Sequence, residues 1–238
     1  MSSDSFTKDN LDTYLKELAK EFRKLNGKSM PAEIILVGGA AILTNYGFRN
    51  MTTDINAVIH ASSLMKDAIN RTGDRFNLPY GWLNTDFMRT SSYSTKIDEN
   101  SVYYKTFYGV LTVRTITAEY LIAMKLRSGR KYKNDLSDVI GILAEHSKNN
   151  MPITFEMIDI AVKKLYGGWE EFPKDSKPFI EKALENGDFE NVYSSAKIDE
   201  LESKNILIDF EKEYPQVANE SNVNDILKTL KSKRNEQT

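Results

Sequence analysis

The feature that most constrains the fold is a short apolar run that ends in two glycines. Glu33-Ile34-Ile35-Leu36-Val37 contains several β-branched residues and is followed at once by Gly38-Gly39. This run predicts a buried strand, and the glycines predict a tight turn into a helix that begins near Ala40. Because glycine has no Cβ, an anion could approach the amides at the start of that helix. The alternative is that Gly38 and Gly39 only form a tight turn between the strand and the helix and bind no anion.

A second strand is predicted in the segment Thr53–Ile59, which places Asp54 fifteen residues after Gly39. Polar and apolar residues alternate there, so the side chains of Asp54 and Asn56 are expected on one face. Two oxygen ligands on one face can hold a hard divalent cation such as Mg²⁺, or Mn²⁺ in its place, against a triphosphate. The alternative for Asp54 is an ordinary turn or capping residue.

The remaining pattern changes from mixed to purely helical near residue 117. Leu11, Leu15, Leu18 and Phe22 recur at helical spacing in residues 8–26, with Ser5 or Thr7 as a cap and Gly27 as the stop. Two further strands are predicted at 102–107 and 110–114. Helices are then predicted at 117–128, 134–147, 154–165, 174–186, 188–203 and 222–233. A boundary near residues 149–152 would separate an α/β domain at 1–149 from a helical region at 150–238.

Composition excludes several classes of protein. The chain has no cysteine, so it contains no disulfide, thiolate metal site or cysteine nucleophile. The formal net charge of −2 provides no overall basic field for holding duplex nucleic acid. The sequence shows neither a signal-peptide pattern nor an apolar run long enough to span a membrane. We therefore expect a cytoplasmic protein without a membrane partner.

Two segments carry a resemblance to a known superfamily. VGGAAILTNYGFRNMTTDINAVI resembles the nucleotidyltransferases of the DNA polymerase β type, in which Gly-Gly or Gly-Ser follows a strand and Asp-x-Asp or Asp-x-Glu lies on the next. It is more closely similar to bacterial AbiEii-like and related minimal nucleotidyltransferases. AEYLIAMKLRSGRKYKNDLSDV is similar to the same proteins. The resemblance implies an α/β fold in which a small mixed-sheet core precedes the helical C-terminal region.

The resemblance also implies a reaction and roles for individual residues. A hydroxyl of an RNA, a protein or a small molecule would attack the α-phosphate of a nucleoside triphosphate, and pyrophosphate would leave. The AbiEii-like likeness further implies a toxin–antitoxin or phage-defence role with a cognate partner protein. The implied site comprises Gly38, Gly39, Arg49 and Thr53 for the nucleotide, Asp54 and Asn56 for the metal, and Lys125 for phosphate charge.

The sequence departs from the superfamily pattern at Asn56, where a second carboxylate is expected. An amide can offer one oxygen but no charge. The predicted later strands contain no third acid, and Asp86, Asp98 and Glu99 are the nearby candidates. The alternative function is therefore a degenerate module that binds a nucleotide or a partner without turnover. A third hypothesis treats the α/β part as a scaffold for the helices, so that deleting 152–238 would abolish partner binding.

A structural role is an alternative to a functional one for four residues: Lys125, Asp135, Asp138 and Trp82. Lys125 lies at the edge of an apolar helix stripe and could simply extend its ammonium to solvent. Asp135 and Asp138 are interpreted as capping and surface charges paired with Lys131 and Lys133, with support of the site as the alternative. Trp82 is predicted to anchor an otherwise polar loop.

Overall fold

The computed structural model describes residues 5–28, 30–219 and 222–235. The mixed part of the chain contains three helices and five strands. These elements are α1 (Lys8–Asn26), β1 (Ala32–Leu36), α2 (Gly38–Asn45), β2 (Ile55–His60), α3 (Leu64–Phe76), β3 (Leu83–Asn84), β4 (Ser101–Phe107) and β5 (Leu111–Ile116). The helices that follow are α4 (Ala118–Ser128), α5 (Asp135–Lys148), α6 (Phe155–Tyr166), α7 (Ser176–Asn186), α8 (Phe189–Glu213) and α9 (Val223–Asn235).

The five strands form one mixed sheet in the order β3-β2-β1-β5-β4. β1 is antiparallel to β2 and parallel to β5, while β2 is parallel to β3 and β4 is antiparallel to β5. Ile34, Ile35 and Leu36 are completely buried, which explains why the central strand β1 is almost continuously apolar. The predicted α/β fold with a mixed sheet and a helical C-terminal region is confirmed.

Helix α1 has the bounds that the apolar spacing predicts. Thr7 caps it, because the Thr7 side chain accepts a hydrogen bond from the Asn10 amide and the Asn10 side chain accepts one from the Thr7 amide. Gly27 ends it with a positive φ of 73°. The apolar face of α1 packs against α3 and buries Leu11, Leu15, Leu18 and Phe22.

The segment between α3 and β4 is the least regular part of the sheet region. It contains the two-residue strand β3 and two 3₁₀ turns, Asp86–Arg89 and Thr95–Asn100. Trp82 anchors it, as predicted: its side chain is buried and its Nε1 donates to the Ile69 carbonyl at 3.1 Å. The Trp82 carbonyl in turn accepts from the Ile55 amide at the start of β2, so the anchored loop supports that strand.

By their residue contacts, the elements divide into two compact units. The first comprises the chain up to Met124 together with Glu156–Trp169, and the second comprises Lys125–Phe155 and the chain from Glu170 onward. Contacts do not test separate folding, so the predicted boundary between 149 and 150 stays a prediction. Within the described ranges, no helix has both the length and the apolar character needed to cross a bilayer.

In the second unit, α8 contacts α5, α7 and α9. The sequence prediction ended this helix near Ser203, but it continues to Glu213. The predicted end is ten residues too early, because Ile206, Leu207, Ile208 and Phe210 continue the apolar pattern and no glycine or proline stops the helix before Tyr214. The extension places Ile206 in the core.

A buried carboxylate from α8 caps the first turn of α5. Glu200 Oε1 accepts hydrogen bonds from the Leu136 and Ser137 amides at 2.9 and 3.1 Å, and Oε2 accepts from the Ser137 hydroxyl at 2.6 Å. Burial raises the pKa of Glu200 to about 7, against the opposing effect of these hydrogen bonds. Glu200 therefore takes up a proton on folding between about pH 4.5 and 7.

We predict that Glu200 makes the folded state less stable as pH rises through this window. The raised pKa favours the folded state below the ordinary carboxyl value, and that contribution is lost as pH rises through about 7. Between about pH 5 and pH 8, the free energy of unfolding should fall by about 2 to 3 kcal/mol more in the wild type than in Glu200→Gln. Denaturant titrations at both pH values measure this difference.

The exposed Glu185 of α7 provides the matched control. Glu185→Gln should keep the pH dependence of the wild type, because an exposed carboxyl group loses little solvation on folding. If the free energy of unfolding changes equally with pH in the wild type and in Glu200→Gln, the Glu200 carboxyl does not titrate in this range.

Candidate functional site

The candidate site begins at the turn between β1 and α2. Val37 is extended, with φ of −129°, whereas Gly38 has φ of +57°. A residue with a Cβ would be strained in this left-handed conformation, at a cost of about 1 kcal/mol. The two glycines start α2 itself, two residues earlier than the sequence predicts. The amides of its first turn therefore lie directly after the end of β1.

Gly39 is required for a different reason, which is a close approach. A Cβ at this position would lie 2.5 Å from Thr52 Oγ1 and 2.9 Å from Arg49 Nη2. The Thr52 and Arg49 side chains therefore lie directly against the backbone of the turn. Arg49 is half-buried and donates from Nε to the Met51 carbonyl at 3.0 Å. The structure thus brings Arg49 to the glycine turn, although the two are ten residues apart in the sequence.

The side chains of Asp54 and Asn56 meet next to this turn. The Val37 amide donates to the Asn56 carbonyl at 3.0 Å, which places the start of β2 beside the end of β1. Asn56 Nδ2 donates to Asp54 Oδ2 at 2.6 Å, so the two side chains lie together as strand alternation predicts. Asp54 is exposed and Asn56 is half-buried. The pair is therefore open to a ligand.

Thr52 is a residue of this region that the sequence interpretation missed. Its side chain is buried, and its hydroxyl donates to the Asp54 carbonyl at 3.2 Å. Its backbone also forms two hydrogen bonds with Phe6, of 2.7 and 2.9 Å. Thr52 thus holds the segment that carries Asp54 against Gly39. Its neighbour Thr53, which the resemblance favours, is exposed, and its role stays a prediction.

On the sheet face that carries Asn56, the carboxylate of Glu33 lies at the far end, where Glu33 pairs with His60 and its Oε2 is 3.9 Å from Arg114 Nη1. Asn56 and Val58 share a face of β2, and Val58 pairs through Ile35 with Arg114 on β5. Arg114 also donates to the hydroxyl and carbonyl oxygens of Ser101 at 2.7 and 2.6 Å. In the residues that the structure describes, no group of three or more histidine, aspartate or glutamate side chains could hold a metal ion.

The three loop acids that sequence analysis named as candidates all lie in the irregular segment. Asp86 and Glu99 are exposed, and Asp98 Oδ2 pairs with His60 Nε2 at 3.0 Å. Asp98 thus has a partner at the far end of β2, four residues after Asn56. Asp54 is therefore the carboxylate that the observed geometry places with Asn56.

Lys125 lies in the second unit, within a buried cluster of charges. Its Nζ is 2.8 Å from Asp135 Oδ1 and 2.9 Å from Asp138 Oδ2, and the Lys125 side chain is only 8% exposed. Arg130 also binds Asp135, with Nε 2.8 Å from Oδ2. Burial alone would raise the pKa of Asp135, but the charges and hydrogen bonds of Lys125 and Arg130 outweigh it and hold the pKa below its ordinary value.

This cluster corrects the interpretation of Asp135 and Asp138 as surface charges. Both are buried, and Lys125 pairs with them instead of extending to solvent. Lys131, one of the partners that the sequence favours, forms its salt bridge with Asp175. The helical spacing correctly places the two aspartates on one face of α5, but it does not reveal that this face is buried. The proposed role of Lys125 toward phosphate stays a prediction.

The glycine turn after β1 and the Asp54–Asn56 pair beside it are the two parts of the motif that resembles the nucleotidyltransferase superfamily. Comparison with known families agrees. The chain belongs to a family described as nucleotidyltransferase of unknown function (DUF6036), whose model matches residues 13–158, more than half of the chain. No curated protein and no solved structure matches it significantly.

We predict that Lys125→Met destabilises the fold by about 3 kcal/mol, because it leaves two buried carboxylates short of a partner. Lys182→Met in α7 is the control, since Lys182 is exposed and such substitutions change stability by about 0.5 kcal/mol or less. Denaturant unfolding of both variants at neutral pH measures the effect. If Lys125→Met is as stable as the wild type, the buried cluster does not depend on this cation.

Proposed function

We propose that the protein transfers a nucleotidyl group from a nucleoside triphosphate to a hydroxyl acceptor, at a site built from the Gly38–Gly39 turn, Asp54 and Asn56. The observation that carries the proposal is the position of the Asp54–Asn56 pair beside that turn, where the Val37 amide donates to the Asn56 carbonyl at 3.0 Å. Membership of a nucleotidyltransferase family supports the same reaction class.

The turn would bind the phosphates. Its glycines leave the backbone accessible, and the first amides of α2 provide donors and the positive end of the helix dipole. The Arg49 side chain lies against Gly39 and would add a positive charge that can pair with phosphate oxygens. The exposed Thr53 hydroxyl would provide a further hydrogen-bonding group on the nucleotide side.

Asp54 and Asn56 would hold a divalent cation, Mg²⁺ or Mn²⁺. Turning over the Asn56 amide exchanges its donor nitrogen for an acceptor oxygen, so the pair can present one carboxylate and one amide oxygen. Mg²⁺ is commonly held by one or two carboxylates together with substrate phosphates and water. The donor set therefore fits a cation that binds together with the triphosphate, and such a cation would neutralise charge on the phosphates.

In the proposed reaction the acceptor hydroxyl oxygen forms a bond to the α-phosphorus. The bond from the α-phosphorus to the bridging oxygen of the β-phosphate breaks, pyrophosphate leaves, and the hydroxyl proton passes to solvent. The acceptor belongs to an RNA, a protein or a small molecule. A toxin–antitoxin or phage-defence role stays a prediction, because it rests on the AbiEii-like resemblance alone.

A second candidate function is a degenerate module that binds a nucleotide without turnover. The hydrogen bond from Asn56 to Asp54 favours it, because the amide already satisfies the carboxylate without a cation. A lone carboxylate also attracts Mg²⁺ less strongly than a pair does. Metal-dependent binding and turnover therefore have to be measured separately.

We predict that nucleoside triphosphates bind the wild type only with Mg²⁺ or Mn²⁺ and that Asp54→Asn weakens this binding about tenfold or more, because it removes the charged ligand. Calorimetric titration with each triphosphate, with and without chelator, measures both effects. Asp67→Asn, at an exposed position of α3, should bind like the wild type. Unchanged binding by Asp54→Asn would contradict the proposed site.

The variant Asn56→Asp separates the two candidate functions. A second carboxylate should raise Mn²⁺ affinity in both cases, and without metal it should destabilise the fold through repulsion from Asp54. Under the transferase proposal, the wild type already releases pyrophosphate. Under the degenerate alternative, only Asn56→Asp can do so. If both proteins bind Mn²⁺ and triphosphate but release no pyrophosphate with RNA, protein or small-molecule acceptors, the transferase proposal is contradicted.

A further inference from the structure

Helix α8 exposes apolar residues on the side opposite its buried face. Glu200, Ser203 and Ile206 of α8 are buried in the second unit. In contrast, Ile198, Leu201 and Ile208 are 69%, 61% and 45% exposed. At about 100° per residue, these three side chains lie roughly diametrically opposite the buried ones. The exposed residues therefore form a separate stripe along the helix.

The spacing of this stripe is that of a coiled-coil seam. Ile198, Leu201, Asn205 and Ile208 follow the intervals of three, four and three residues that define successive a and d positions. Asn205, which is also exposed, occupies an a position. A single asparagine at such a position is a known determinant of register and of pairing in two-stranded coiled coils.

The flanks of the seam carry opposite charges. Lys197 and Lys204 occupy the g positions on one side, and Glu202 and Asp209 occupy the e positions on the other. In a parallel pair of identical helices, each g residue faces the e residue five positions later on the partner. Lys197 would then face Glu202 of the second helix, and Lys204 would face Asp209.

An antiparallel pair would bring like charges together, because g faces g and e faces e in that arrangement. The charge pattern therefore favours the parallel arrangement specifically. Two of the flanking groups have contacts within the chain: Lys197 Nζ donates to Asn134 Oδ1 at 3.2 Å, and Asp209 pairs with Lys212 at 3.2 Å. Lys204 and Glu202 are exposed and can pair without disturbing such contacts.

We propose that α8 associates with α8 of a second copy of this chain as a parallel two-stranded coiled coil, through the seam formed by Ile198, Leu201, Asn205 and Ile208. The complementary g and e charges identify the partner of α8 as a second, identical α8 helix that runs parallel to it. The proposal is independent of the nucleotidyl-transfer site, because it uses only residues of α8.

The absence of cysteine from the chain allows a direct test by disulfide formation. In the parallel arrangement, Asn205 of one copy lies against Asn205 of the other, so Asn205→Cys should form a covalent dimer under mild oxidation. Ser195→Cys, exposed on the same helix but outside the seam, should stay mainly monomeric. Equal crosslinking of both variants, or none of Asn205→Cys, would overturn the proposal.

Sedimentation equilibrium of the full chain supplies the second measurement, from micromolar to near-millimolar concentration. The wild type should show a reversible increase from 27.2 kDa toward twice that mass. Leu201→Glu should raise the dissociation constant about tenfold or more, because it places like charges in an apolar seam. Ile160→Glu, at an exposed apolar position of α6, should associate like the wild type. A monomer at every concentration would overturn the proposal.

Charge reversal tests the direction of the helices. Lys204→Glu and Asp209→Lys should each weaken the dimer, and the double variant should restore it, because the reversed charges again face each other across a parallel pair. If Lys204→Glu strengthens association instead, the helices pair in the antiparallel direction and the proposed arrangement is wrong.

Discussion

The candidate site depends on β1 being hydrogen-bonded along both edges. Its antiparallel partner β2 and its parallel partner β5 fix its position, and the last link to β2 joins the Val37 amide to the Asn56 carbonyl. Because β2 runs in the opposite direction, its first residues lie where β1 ends. The sheet alone therefore brings the glycine turn and the Asp54–Asn56 pair together, although they are separated in sequence by a helix and a loop.

Replacing a carboxylate with Asn56 changes the electrostatics of the site before any ligand arrives. Two carboxylates at the observed separation would repel each other and would need a cation or a proton between them. The Asn56 amide instead donates to Asp54, so the ligand-free pair is electrostatically satisfied. A cation at the proposed site would have to compete with that hydrogen bond, and it would gain one charged ligand instead of two. An asparagine in place of the second carboxylate therefore stabilises the pair without a ligand and would weaken the attraction of the proposed site for a metal ion.

Much of the fold could be predicted because its signals are local. The bounds of α1 follow from apolar spacing, Thr7 and Gly27, and the position of β1 follows from its apolar run. The contact between Asp54 and Asn56 was also predictable, because alternation along one strand determines it. These predictions required no knowledge of residues distant in the sequence.

The features that sequence reasoning missed are set by contacts between distant segments. Thr52 rather than Thr53 holds the Asp54 segment, because only the fold brings Gly39 and Phe6 to it. Likewise, the helical spacing of Asp135 and Asp138 is equally compatible with an exposed and a buried face. Their burial depends on what packs against α5, which local periodicity does not contain.

Glu200 links the family-matched part of the chain to the helices outside it. The match ends at residue 158, yet the first turn of α5, within the match, receives its cap from Glu200 of α8. Removing residues 152–238 would leave the Leu136 and Ser137 amides without this acceptor, and Asp135 and Asp138 in that same turn hold Lys125. Loss of partner binding after such a deletion would therefore not identify the helices as the binding surface. Point substitutions that keep Glu200 in place distinguish a docking role of the helices from their role in supporting α5.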